Sequence, residues 1–316
     1  MTPFNWGILG TGNIAGSMAD ALRLVPGARR YAVASRSAQK ACAFAAQWGF
    51  EIACGSYDVL LADPDVDIVY IATPNAHHKA NVLAALAAGK HVLCEKPLSL
   101  CEADSAQCFA AAEAAGLLLV EALWTAFFPA MRKAVSLVSS GEIGTPRYLS
   151  ARFVSVRNPG AHPNLFDPTL GGGATNDLGI YPVAAALLLT GPVASVSCET
   201  VTGPTGVDEM VAMSLRHRNG AVSQLSFGFR VEMPVAVELV GDRGTLAIPR
   251  NFHHPQSVTL RRGDDTKVFE RPSTGIGYAH EAMAFQEDLT RNRRSSRLWP
   301  GSMTLECARL LAECGT

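Results

Sequence analysis

Over residues 1–121 the chain alternates short β-branched runs with alanine-rich stretches of helical period. Few folds besides a parallel sheet built from βαβ units satisfy that alternation. "FNWGILG" reads as the first strand and "NIAGSMADALRLV" as a helix ended by Pro26 and Gly27. "RRYAVAS" reads as the second strand, followed by the helix "SAQKACAFAAQWG". The pattern continues with the apolar strand "DIVYIAT", the helix "HHKANVLAALAAGK" closed by Gly89, and the strand "HVLCEKP" stopped by Pro97. One more helix and the strand "LLLVEA" complete it.

After Glu121 the pattern changes. An amphipathic helix from Phe128 to Ser140 is followed by the turn "GEIGTP" and the strand "RYLSARFVSV". A Pro/Gly-rich loop and a helix carrying Asp177 and Tyr181 come next. The successive strands "VASVSCETV", "MVAMSLRH", "AVSQLSFGF", "VAVELVG" and "GTLAIP" are joined by short turns, which predicts an antiparallel sheet. "GDDTKVFERPSTGIG" is polar enough to read as a mobile loop, and helices over 278–291 and 303–313 finish the chain. The 316 residues exceed what one core organises. The expectation is an α/β chain with a first domain over 1–121 and an α+β domain over 122–316, the C-terminal helices packing back on the first.

The formal net charge of −1 gives no electrostatic case for nucleic acid or an anionic membrane surface, so a small-molecule partner is expected. No apolar run reaches the ~18 residues of a membrane span, and "MTPFNWGILG" enters a strand without a basic leader, which predicts a cytoplasmic protein. The eight cysteines (42, 54, 94, 101, 108, 198, 307, 314) form no CxxC pair, and the eight histidines form no HExxH, so reduced cysteines and no metal are expected.

"GILGTGNIAG" places Gly10-x-Gly12-x-x-Ala15 directly after a strand and at the mouth of a helix. The first glycine permits the tight turn, the second lets backbone approach a pyrophosphate, and the small third residue lets helix and strand pack closely. Gly10, Thr11, Gly12, Asn13 and Ile14 therefore form the expected dinucleotide turn. The second strand ends in Ser35 and Arg36, where an NAD site carries an acid for the ribose 2′-hydroxyl. A guanidinium beside that gap favours a 2′-phosphate, so NADP is preferred and NAD remains possible. For Lys40, a solvated surface position is the better reading. The loop with Thr73, Pro74, Asn75 and His78 follows an apolar strand at its carboxyl end, where ligands sit in open α/β sheets. Asn75 reads equally as an Asx turn and His78 as a helix start.

Glu95 and Lys96 stand at the end of another apolar strand, beside the expected nicotinamide. An ammonium there can polarise a substrate oxygen or lower the pKa of a neighbouring acid. Asp177 and Tyr181, four apart in a helical segment, share a face. With "GILGTGNIA", "TPNAHH", "EKP", "GEIG", "GGGATNDLGIYP" and "ELVGDRGTL", the chain resembles the Gfo/Idh/MocA oxidoreductases over nearly its whole length. It is most similar to their NADP-dependent dihydrodiol dehydrogenase and D-xylose 1-dehydrogenase branch, through "EALWTAFFPA" and through Tyr181 where many relatives carry histidine.

The resemblance implies a Rossmann dinucleotide-binding domain followed by a domain with a large open, mainly antiparallel sheet. That sheet's exposed face would form a homodimer or a dimer of dimers. It also implies that Lys96 and Tyr181 are catalytic and Asp177 the acid one turn earlier, with Trp124 and Phe153 either pocket walls or plain core. Ala126 departs from the branch, which carries arginine there. The reaction expected is hydride transfer between NADP(H) and a secondary alcohol or hemiacetal carbon of a sugar, polyol or trans-dihydrodiol. Tyr181 would serve as general base, assisted by Lys96, and Asp177 would bond the substrate hydroxyl or orient Lys96. Reduction of a sugar ketone or dicarbonyl is the alternative direction, and a non-catalytic NADP sensor the alternative class.

Overall fold

The structure is a computed structural model that describes residues 3–314. The chain divides into two compact units, Met1–Trp124 with Thr274–Thr304, and Thr125–Ser273 with Leu305–Thr316. In the first unit the order is β1 (Phe4–Leu9), α1 (Asn13–Ala21), β2 (Ala28–Ala34), α2 (Ala38–Trp48), β3 (Ile52–Cys54), α3 (Tyr57–Leu61), β4 (Ile68–Ile71), α4 (His78–Ala87), β5 (His91–Glu95), α5 (Glu102–Ala115) and β6 (Leu119–Ala122). The six strands pair in parallel in the order β3-β2-β1-β4-β5-β6.

This is the doubly wound Rossmann order, with its crevice between β1 and β4, where the winding reverses. All four residues of β4 are buried, as strands covered by helices on both faces must be. Leu9, Ala32, Val69, Ile71, Val92 and Cys94 belong to one continuous core. Helix α2 starts at the Ser37 cap, whose hydroxyl accepts from Lys40 N–H, and stops at Gly49 in the left-handed region (φ 70°). β3 and α3 went unread in the sequence because three and five residues are too short to show a period.

The second unit holds α6 (Pro129–Ser139), β7 (Pro146–Val154), α7 (Ile180–Thr190), β8 (Val193–Thr202), β9 (Asp208–His217), β10 (Val222–Gly228), β11 (Ala236–Gly241), β12 (Thr245–Ile248), β13 (Ser257–Arg262) and β14 (Asp265–Glu270). Its eight strands run β14-β13-β12-β11-β7-β10-β9-β8. Every neighbour is antiparallel except β7 and β10, which pair in parallel across the chain segment bearing α7. Helix α7 is apolar on all sides and packs on β7 and β10, which accounts for its near-complete burial.

The segment 263–277, expected as a mobile loop, contains β14, which pairs in register with the equally unexpected β13. β14 is an edge strand with most of its residues exposed, so it has no buried face to write an apolar alternation. Two helices close the chain: α8 (Tyr278–Thr290), which packs on α1 in the first unit, and α9 (Gly301–Ala312). All eight cysteines are free thiols, with the Cys198 and Cys314 sulfurs 3.4 Å apart.

Candidate active site

Gly10 closes β1 with φ 111°, and a Cβ there would lie 2.6 Å from the Ala72 carbonyl oxygen. Only glycine joins the two central strand ends so closely. Gly12, the N-cap of α1, is different: its backbone is extended and a Cβ would meet nothing within 4 Å. No side chain caps this helix. The first-turn N–H groups of α1 thus border open space, which is the arrangement a pyrophosphate needs. Thr11 is half-buried in the turn, while Asn13 and Ile14 are exposed on the first turn of α1. These residues fit a dinucleotide.

Ser35, just past β2, is buried, with its N–H on the Cys54 carbonyl and its hydroxyl accepting from Ser37 N–H. Arg36 beside it is exposed, and no acid occupies either position. After β4, Thr73 and Asn75 are half-buried and Pro74 exposed. His78 is fully buried: Nδ1 lies 2.7 Å from the Pro97 carbonyl and Nε2 2.8 Å from that of Thr73. Burial pushes this imidazole below its usual pKa. Its ring therefore staples the Thr73 turn to the end of β5.

At that end Glu95 and Lys96 are half-buried, and the Lys96–Pro97 peptide is cis. The Glu95 carboxyl accepts from the Tyr70 hydroxyl through Oε1 and from Lys96 N–H through Oε2 (3.2 Å). Glu121 holds the turn from behind: Oε1 accepts from Leu98 N–H (2.8 Å), and Oε2 accepts from Trp299 Nε1 and Thr304 Oγ1 (both 2.9 Å). Burial pushes both carboxyls up. Trp124 stacks on Tyr278 with ring centroids 4.8 Å apart.

In the second unit, the segment expected to be one α-helix begins as a π turn, Thr175–Gly179, and becomes α-helical at Ile180. The wider turn places Asp177 and Tyr181 in different helical geometries rather than directly above one another. Such π turns recur at functional sites. The turn is anchored by Asp208, whose Oδ2 accepts from Thr175 N–H (2.7 Å) and Oγ1 (2.8 Å). Asn176 donates to the Gly171 and Gly172 carbonyls. Gly173 has φ 109°, and a Cβ there would strike Asp208 Oδ1 at 2.2 Å, while one on Gly172 would lie 2.6 Å from the Leu165 carbonyl oxygen, so packing requires these two glycines.

Tyr181 is 8% exposed, with its ring 5.4 Å from Phe153 and 5.6 Å from His253. Phe153 and His253 are themselves 4.3 Å apart, and Thr125 Oγ1 fixes the His253 carbonyl at 2.6 Å. Phe153 thus lies in the aromatic wall around Tyr181. Ala126, where the branch carries arginine, is buried in the short turn Trp124–Phe127. Sequence reasoning passed over Tyr70, Asp208, His253 and Tyr278. Only Tyr70 carried a local signal, a hydroxyl inside the apolar run of β4. Among the described residues no three His, Cys, Asp or Glu gather to hold a metal ion, and no helix is long and apolar enough to cross a membrane.

Residues 4–122 match the Gfo/Idh/MocA oxidoreductase family model for an NAD-binding Rossmann fold, and 131–247 match that family's C-terminal domain. The trans-1,2-dihydrobenzene-1,2-diol dehydrogenase of Sus scrofa is 32% identical, the match covering 98% of this chain and 93% of the pig enzyme. The human enzyme of the same name is 30% identical over 98% and 95% of the two chains. A 3-ketoreductase from Actinomadura kijaniata, solved with TDP-benzene and NADP, superposes with TM-score 0.86 at 30% identity, covering 100% of this chain and 98% of that one. A levoglucosan dehydrogenase solved with NADH and levoglucosan shares the fold at TM-score 0.90 and 21% identity, over 99% and 97% of the chains. With both domains matched, and relatives above the 30% level along almost its full length, this chain belongs to the Gfo/Idh/MocA oxidoreductases.

Proposed function

We propose that the protein is an NADP-dependent dehydrogenase acting on a secondary alcohol or hemiacetal carbon of a sugar, polyol or trans-dihydrodiol. The observation that carries the reading is Tyr181, a phenol set among Phe153 and His253 directly after the anchored π turn that bears Asp177. The bound cofactor supplies the hydride chemistry. Tyr181 takes the hydroxyl proton of the alcohol, because a hydride does not leave an alcohol carbon while that oxygen keeps its proton. Lys96 contributes the positive charge that favours the phenolate, and Asp177 accepts a hydrogen bond from a substrate hydroxyl. Trp124 and Phe153 serve as apolar walls. Gly10 to Ile14, Thr73, Pro74, Asn75, His78 and Glu95 frame the cofactor's binding region.

Reduction of a keto sugar is the second reading, favoured by the likeness to the 3-ketoreductase with NADP. The same residues serve it, with Tyr181 as acid. Initial rates with NADP and a panel of pentoses, hexoses, inositols and trans-dihydrodiols, set against NADPH with keto sugars and dicarbonyls, test both readings. Dehydrogenation of at least one diol or sugar is expected. Silence across the oxidation panel beside brisk ketone reduction overturns the first reading, and silence in both directions overturns both.

Preference for NADP is assigned to Ser35 and Arg36. A Ser35→Asp, Arg36→Ala variant is expected to move the NAD to NADP ratio of kcat/KM toward NAD by roughly 10-fold or more, equivalent to about 1.4 kcal/mol. An unchanged ratio removes these two residues from cofactor choice. The outer face of the eight-stranded sheet is proposed as the surface of a homodimer or dimer of dimers, and eight free thiols suit a reducing compartment such as the cytoplasm.

A further inference from the structure

Three carboxyls of the first unit are withdrawn from water, Glu121 and Glu281 fully and Glu95 in part, and they are not treated alike. Glu121 has three hydrogen-bond donors. Glu95 accepts from the Tyr70 hydroxyl and Lys96 N–H, and it keeps some exposure to solvent. Glu281, in the first turn of α8, is 0% exposed, and neither of its carboxyl oxygens has a donor among the described residues. The dipole of α8 by itself favours a charged acid in this turn, but none of the turn's N–H groups bonds to it. A carboxylate stripped of water and of every donor is the costliest form this side chain can take.

The groups around Glu281 sharpen the point. Glu95 is the charge acting on it, and the Tyr70 hydroxyl feels both acids. On α8 itself Tyr278 adds to the same field at Tyr70, and Lys96 acts on Glu95. Helix α1 and the short turn Leu22–Leu24 pack against α8, as do Trp6 of β1, which donates to Gln286, and Trp124, beside Tyr278. Their charged groups, Asp20 and Arg23, pair with each other at the exposed surface. Burial and the neighbouring Glu95 charge both act against a negative charge on Glu281. Of two interacting acids the second to ionise is disfavoured by the first, and the one with donors, solvent and an ammonium neighbour is Glu95.

We propose that Glu281 is a positioning residue that keeps a proton on its carboxyl, leaving Glu95 to carry the pair's single negative charge beside Lys96. The link to turnover rests on the assignment of Lys96 above; the proton on Glu281 does not. Burial lifts the Glu281 carboxyl well above the ordinary value of 4.5. The folded chain therefore holds a proton that the unfolded chain has lost. This contribution to stability is complete below the unfolded value and is lost as pH rises through the folded one.

The test compares wild type with Glu281→Gln, an isosteric neutral side chain. The infrared carbonyl band of a protonated acid is expected in wild type at neutral pH and absent from the variant. The Tm of the variant relative to wild type is expected to climb between about pH 5 and about pH 9. Turnover of wild type is expected to fall on an alkaline limb that the variant lacks. Absence of the band, or a Tm difference that does not change with pH, overturns the protonated Glu281. A band and Tm response as expected, with the alkaline limb unchanged in the variant, overturns the positioning role. If the variant does not fold, isotope-edited spectra of wild-type protein with labelled glutamate carboxyls decide the protonation. Full turnover in Lys96→Ala would remove the catalytic reading of Lys96 and leave the band and Tm tests standing.

Discussion

Replacing Tyr181 by phenylalanine is expected to lower turnover by ~10²-fold or more while leaving NADPH affinity near that of wild type. The substitution deletes one oxygen and keeps the ring, so the contacts with Phe153 and His253 at 5.4 and 5.6 Å are retained. A loss of activity then reports the proton transfer and not a collapsed pocket. Steady-state kinetics with the best substrate from the panel, together with titration of NADPH by fluorescence, separates the two effects. Turnover in the variant equal to wild type would dismiss Tyr181 as the general base, and a parallel loss of NADPH binding would place the tyrosine in cofactor affinity instead.

Gly12→Val carries the second large effect. The residue's φ of −83° suits any side chain, and a Cβ there meets nothing within 4 Å, so the apo fold and its Tm are expected to hold. The added isopropyl group occupies the space in front of the α1 N-terminus, and NADPH affinity is expected to fall by at least ~10-fold, or about 1.4 kcal/mol. Gly10→Ala is the contrast: with φ 111° and the Ala72 oxygen at 2.6 Å, it strains the junction of the two central strands and destabilises the chain before any ligand arrives. Normal NADPH binding by Gly12→Val would show that the dinucleotide does not lie across this turn. A large fall in its Tm would show that the glycine serves packing.

Much of the first unit was legible because its central strands are buried on both faces and helices such as α2 and α5 close on glycine. Continuous apolar runs such as β4 and the left-handed stop at Gly49 write themselves locally. β14 was not legible, because a strand that buries little carries no alternation, while β13 alternates only over Ser257 to Leu260, too short a stretch to stand out. The turn around Asp177 and Tyr181 was located correctly in the sequence, but its π geometry was not, since nothing local distinguishes five residues of wide helix from an ordinary turn.

By itself the sequence marked out the residues proposed for the site: the glycines of the first turn, Ser35 and Arg36 without an acid, the Glu95–Lys96 strand end, and the Asp177 and Tyr181 segment. Each is a short-range pattern, written in neighbours three or four residues apart or in a strand that stops. Only the tertiary structure decided what supports them. Asp208 reaches Thr175 across 33 positions, Thr125 reaches the His253 carbonyl across 128, and Trp299 reaches Glu121 across 178. Such partners are chosen by burial. A polar group withdrawn from water must find its hydrogen bond wherever the fold brings a donor, or, as at Glu281, keep its own proton.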